Sequence, residues 1–278
     1  MRIRPAAVAG TWYPGTRGAL ERDVDHHLSA ASAGPGGSVT AIISPHAGLM
    51  FSGPVAAYAY KAVSSERYDA AVLVGPSHHV GFDGVALYPA GGFESPLGVA
   101  YIDESGADAM ATASIVQPLP AAHGREHSLE MQLPFLQRVL PNVKIVPLLM
   151  GYQTRETIAA LAAALASSFN GRRVLLVAST DLSHYFDAKT ASALDARVQE
   201  AVNAFDVDRL LALFEQYPEH ERGRYVACGG GPAISVLMAA RMMGARNARV
   251  LKYAHSGEVS GDYDAVVGYV AAAAGVFD

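Results

Sequence analysis

Residues 69–80, DAAVLVGPSHHV, constrain this chain more than any other stretch. A run of small and branched apolar residues leads through Gly75, Pro76 and Ser77 to His78 and His79. This pattern reads as a buried strand stopped by a turn that carries imidazoles. The same design recurs twice: 41–45, AIISP, leads to His46, and 174–180, VLLVAST, leads to Asp181 and His184. In open α/β sheets ligands sit beyond the carboxyl ends of the strands, so these three strands are predicted to deliver their side chains to one place.

Between the strands the apolar spacing becomes helical, at 19–28, 55–63 with Pro54 in its first turn, 104–112, 156–169, 190–204, 207–217 and 233–243. Further strands are expected at 143–150, 249–254 and 265–272, and 84–102 reads as a hairpin beside the main sheet. The alternation predicts one α/β domain over residues 1–278, with a central, mostly parallel sheet flanked by helices. Right-handed crossovers then put every histidine-bearing loop on one edge. The glycine-rich segment 29–38 lies too near the start to divide the chain, and no internal repeat is present.

Composition narrows the partners. Half of the residues are hydrophobic, ample for a core, while the formal charge of -5 comes with lysines and arginines scattered singly. That balance argues against a nucleic-acid footprint or a polybasic membrane patch and favours a small-molecule or peptide ligand. The start, MRIRPAAVAG, lacks the apolar core of a signal peptide, and the apolar run at 265–277 is too short and too broken to span a bilayer. A cytoplasmic location is expected. The single cysteine, Cys228, rules out an intrachain disulfide and fits a reducing compartment. GxGxxG after the first strand, GxxxxGK[ST], HExxH and GxSxG are all missing, which speaks against the common nucleotide, zinc-protease and serine-hydrolase sites.

Several side chains remain for chemistry. His46, between Pro45 and Ala47-Gly48, is either a metal ligand or a histidine satisfied by a nearby carbonyl. His78 and His79 cannot both face one ligand from extended backbone, and spacing does not say which of them does. Cys228, ahead of Gly229-Gly230-Gly231-Pro232, reads as a thiolate near a helix start or as a small buried apolar residue. Asp181 and His184 suit a histidine oriented by a carboxylate for proton transfer, or a helix cap beside an incidental histidine. His127 and Glu130 fall on one face if 123–140 is helical, where they and Glu126 either support a metal's ligands or begin their helix. Trp12 and Tyr13 read as the anchor of a packed N-terminal arm or as a ligand contact, and His26 and His27 as a solvated helix face. Of His123, His220 and His255, none of which has an assigned role, His255 is the best placed.

The strings AVAGTWYPG, SPHAG, GPSHH, EHSLEMQLPF, STDLSHY and CGGGP, in this order over nearly the whole chain, resemble the Memo family, also called AmmeMemoRadiSam system protein B. That family is similar in fold to type III, LigB-like extradiol dioxygenases. The resemblance implies that His46, His78 and Cys228 hold a metal, that Asp181 and His184 line the same pocket, and that a radical-SAM system supplies partners. The dioxygenases hold iron with two histidines and a glutamate, so a thiolate here keeps Fe(II) as the first expectation and brings Cu and Zn into range. The expected function is a metal-dependent, dioxygenase-like redox enzyme of unknown substrate. In it His184, steadied by Asp181, acts as acid or base, and His79, His127 and Glu130 support the ligands. The alternatives are a non-enzymatic peptide or small-ligand binding module and a zinc-dependent hydrolase. The sequence is silent on oligomeric state.

Overall fold

The computed structural model describes residues 2–277. Its main sheet is built on four parallel strands in the order Gly37–Ser44, Val174–Ser179, Ala70–Pro76, Lys144–Met150. Ala70–Pro76 and Val174–Ser179 are buried at every residue, which is why they read as continuous apolar runs: a strand covered on both faces has no solvent side to mark with polar residues. Beyond the parallel core the sheet changes sense. Val266–Phe277 runs antiparallel to Gly37–Ser44 and is itself flanked by Asn247–His255 and by the short strand His184–Phe186. On the other side Val85–Leu87 runs antiparallel to Lys144–Met150 and then pairs in parallel with Val116–Pro118. The predicted α/β class holds, and the sheet is mixed, with four parallel strands at the centre, antiparallel pairings on both sides of them and one more parallel pair at an edge.

Helices cover both faces. Ser44 and Ser179 are register partners and point to one face, where Tyr60 of the helix Leu49–Lys61 reaches Ser179 through Gln132. Ile43 points to the other, packing near Val198, Phe214 and Ile234 of Ala188–Asn203, Val207–Glu215 and Gly230–Met242. One hydrophobic core runs from Tyr13 to Ala274. Segment 84–102 divides: Val85–Leu87 joins the main sheet, while Gly92–Ser95 and Gly98–Tyr101 form the expected hairpin, extended by Ile3–Arg4 into a small separate sheet.

Two boundaries differ from expectation. The helix after His46 begins at Leu49, so Pro54 sits in its interior, where the carbonyl it cannot pair with belongs to the exposed Met50. Residues 124–129 form no helix; a 3-10 turn, Glu130–Gln132, leads into Leu133–Val139. His127 and Glu130 therefore do not share a helical face. No helix among the described residues is long and apolar enough to cross a membrane.

Candidate functional site

Because Gly37–Ser44, Val174–Ser179 and Ala70–Pro76 are parallel neighbours, their following residues emerge together. His46, His78 and Cys228 meet there, their candidate donor atoms all within 4.8 Å of one another. Cys228 arrives from a different direction, on the turn entering Gly230–Met242. That turn is pinned by Gly229 N–H donating to Thr180 Oγ1 (2.9 Å), by Cys228 N–H donating to the Asp181 carbonyl (3.2 Å), and by Gln153. The Gln153 side chain donates to the Cys228 carbonyl (2.7 Å) and accepts from Gly231 N–H (2.8 Å).

Hydrogen bonding determines which nitrogen of each imidazole is free. Ser179 Oγ donates its only hydrogen to the Ser128 carbonyl (2.6 Å) and also lies 2.7 Å from the Gln132 amide nitrogen. His46 Nδ1, 2.9 Å from the same oxygen, must therefore donate, which leaves Nε2 as a bare lone pair aimed at Cys228 Sγ, 3.2 Å away. Tyr60 Oη donates to Gln132 Oε1 (2.9 Å), so the amide is oriented as well. Burial holds His46 well below the usual histidine range, so its ring is neutral.

His78 is fixed by a carboxylate. Glu126 accepts from the His78 amide (2.6 Å), His78 Nδ1 (2.9 Å), the His127 amide (2.9 Å) and the Ser128 amide (2.9 Å). Burial would raise the Glu126 carboxyl, but its bonds from His78 and Ser128 outweigh this and hold it well below the carboxylate range. Its lone pairs are spent on four N–H groups, so although Glu126, His78 and His127 also cluster, Glu126 orients His78 and is not itself a candidate ligand. Burial works against a charged His78, yet bonding to Cys228 and Glu126 pushes the ring up to about 10 in the metal-free protein. His127 lies face to face with His78, ring centroids 4.7 Å apart, and edge-on to His46 at 5.6 Å. Burial lowers it to about 4. Trp12, 38% exposed, caps His127 with centroids 4.3 Å apart.

The remaining expected site residues divide. Asp181 is buried, its carboxyl raised by burial; it accepts from the His46 amide through Oδ1 (2.8 Å), and its own amide donates to Cys228 Sγ (3.3 Å). The carboxylate's hydrogen bonds go to the backbone of the His46 loop and not to the His184 ring, which acts on it only electrostatically. The Nδ1 of His184 lies 2.7 Å from the Leu182 carbonyl, which only accepts, so Nδ1 carries the proton and Nε2 the basic lone pair. Neither is a helix cap, since His184 opens a strand. Glu130 lies away from the ligands: fully buried, it takes Arg4 Nη1 (2.6 Å), the Ala7 and Val8 amides and the Tyr13 hydroxyl (2.6 Å), and so ties down the N-terminal arm. His79 shares the bend after the strand with His78 and meets His127 edge-on, ring centroids 6.1 Å apart, so it touches the neighbour of His78 and is not one of the converging donors. Glu126 is the residue that sequence reasoning undervalued; the signal was a carboxylate beside His127 in a stretch without helical spacing.

An open α/β sheet whose strand ends gather two imidazoles and a cysteine forms a crevice with a donor set that could hold a metal ion. A family model described as "Memo-like protein" matches residues 4–273. A MEMO1 family protein from Methanothermobacter thermautotrophicus is 36% identical over 278 residues, covering 96% of this chain and 98% of its own. One from Thermotoga maritima is 36% identical over 284 residues, covering 97% and 98%. The chain belongs to the Memo family. Among solved structures, an uncharacterized protein of Escherichia coli K12, JW3007, aligns with a TM-score of 0.57 at 14% identity, over 86% of this chain and all of that one, a likeness of fold.

Proposed function

We propose that this protein is a metal-dependent, dioxygenase-like redox enzyme whose ion is held by His46, His78 and Cys228. The observation that carries this reading is the convergence of three donors, with the inner nitrogen of each imidazole held by a non-ligand partner, Ser179 or Glu126, so that each turns its outer nitrogen toward Cys228. Donors in a tetrahedral site with nitrogen and sulfur ligands stand roughly 3.5 Å apart, and His46 Nε2 and Cys228 Sγ are 3.2 Å apart, so the residues fit an ion. Fe(II) is the first candidate, with Cu and Zn as rivals that the thiolate favours. When bound, the ion supplies a redox couple or a Lewis acid to an oxygen-bearing substrate.

The chain's own residues do the rest. His184 presents Nε2 as the group that takes or returns a substrate proton. Asp181 holds the backbone of the His46 loop against the Cys228 turn, and His127 with Trp12 shields one side of the His78 ring from water.

Anaerobic loading with Fe(II), elemental analysis and oxygen uptake over a panel of catechols test the proposal. One bound iron, lost in Cys228→Ser and His46→Ala, together with oxygen consumption is the expected result. Bound iron without oxygen uptake on any catechol defeats the dioxygenase reading. Stoichiometric zinc with ester or amide turnover favours the hydrolase. Peptide affinity that survives chelation and Cys228→Ser favours the binding module.

A further inference from the structure

Among the described residues, three other than glycine have a positive φ: Asn142 (69°), Tyr185 (64°) and Phe205 (50°). Two have local reasons. Asparagine tolerates the left-handed region, and Phe205 follows the helix Ala188–Asn203 in a closing turn, with its own N–H on the Val202 carbonyl and the Asp206 N–H on the Ala201 carbonyl. Tyr185 has neither. It caps no helix, and its bulky side chain makes the conformation costly.

Tyr185 is the inserted residue of a β-bulge. His184 pairs with Val267 and Phe186 with Val266, so Tyr185 has no partner across the ladder. Bulges re-aim side chains beside sites, and this one holds a large ring 67% exposed while its neighbour His184 stays half-buried. The two rings meet edge to face, centroids 5.6 Å apart. Phe186, the next residue, is anchored against Tyr225 and the Arg224 guanidinium, so the strand cannot easily swing to bury Tyr185. A strained backbone that exposes an aromatic ring gains nothing for folding.

We propose that Tyr185 is a substrate-contacting residue that selects for a planar, aromatic substrate, offering its ring face beside the imidazole that handles the proton. This rests on the metal reading above and narrows its substrate class from oxygen-bearing molecules in general to flat, π-faced ones.

The test compares two oxygen chelators on Fe(II)-loaded protein under anaerobic calorimetry: 4-nitrocatechol, which has a ring, and acetohydroxamate, which has none. Iron content is measured on every sample. Tyr185→Gly and Tyr185→Asn are expected to weaken 4-nitrocatechol about tenfold and leave acetohydroxamate unchanged, while Tyr185→Phe binds both like the wild type. Tyr185→Gly also relieves the left-handed strain and is expected to raise Tm by roughly 2–4 °C, a gain that a ring needed for packing would not give. Unchanged 4-nitrocatechol affinity in the glycine and asparagine variants, or a fall in Tm for Tyr185→Gly, overturns the proposal while normal iron loading leaves the metal reading standing. Failure of the wild type to take up iron overturns both.

Discussion

At the scale of single residues, the proposed site depends on groups that are not themselves candidate ligands. Ser179 forces His46 to donate from Nδ1, and Ser179→Ala removes that constraint while deleting only one oxygen from a buried strand. We expect metal affinity to fall about 10- to 100-fold, measured by competition with a chromophoric chelator, with the fold retained. A variant that binds as tightly as the wild type would mean that the hydroxyl does not govern the tautomer. His46 and the His78–His79 pair were legible as candidates because they follow strand ends, and Cys228 because it precedes a glycine-rich helix start, while the choice of His78 and the three-residue set came from the family resemblance. Glu126 and Ser179 were not, because what they do depends on pairs 48 and 133 positions apart in the chain. Asp181 and His184, three apart, invited a local pairing that the structure does not make: His184 Nδ1 goes to the Leu182 carbonyl and the Asp181 carboxylate to the His46 amide.

At the scale of elements, the N-terminal arm and the turn at Cys228 set the walls. Glu130 gathers four donors from the arm, and its partner Arg4 is buried, with bonds also to the His123 and Glu126 carbonyls. Glu130→Ala leaves a buried guanidinium without its carboxylate, a loss of about 3–5 kcal/mol by the usual cost of breaking such a pair. The sole tryptophan, Trp12, rides on this arm, so its emission should shift to the red as its ring leaves His127. Emission and Tm unchanged from wild type would show that the arm has another anchor. The glycine run at 229–231 read as a place of close approach, and the partner is now evident: a Cβ on Gly229 would stand 2.4 Å from the Ser179 carbonyl oxygen. Gly229→Ala must push the Cys228 turn off the strand ends. It should lower both stability and metal affinity, read by thermal melting and chelator competition, whereas a loss of stability alone would detach this contact from the site. Reading 123–140 as one helix misplaced Glu130 because the apolar residues of Leu133–Val139 lend their period to a segment that is turn.

At the scale of the whole molecule, the buried histidines make stability depend on pH in a direction that can be worked out. His123 is lowered to about 3 and His127 to about 4, in each case chiefly by burial, and His46 moves the same way. A histidine whose folded pKa lies below its unfolded value, about 6.5, binds protons in the unfolded chain that the native state refuses. Its contribution is therefore complete above that pH and is lost as pH falls towards the folded value, at up to about 1.4 kcal/mol per pH unit for each ring. His78, raised to about 10, has the opposite sign: its contribution is present below the unfolded pKa and is lost as pH rises through about 10. Metal-free protein should thus be most stable near neutrality and weaken on both sides. His123 isolates one strand of this argument because it sits among Tyr88 and Phe93, apart from the candidate ligands, with Nδ1 unpartnered and Nε2 3.2 Å from the Ala86 carbonyl. His123→Phe fits that aromatic setting and keeps the backbone carbonyl that Arg4 uses. Between pH 6.5 and 4.5, denaturant melts of this variant should show the pH slope of stability reduced by about one proton. An unchanged slope would place the acid sensitivity of the fold at the strand-end cluster alone.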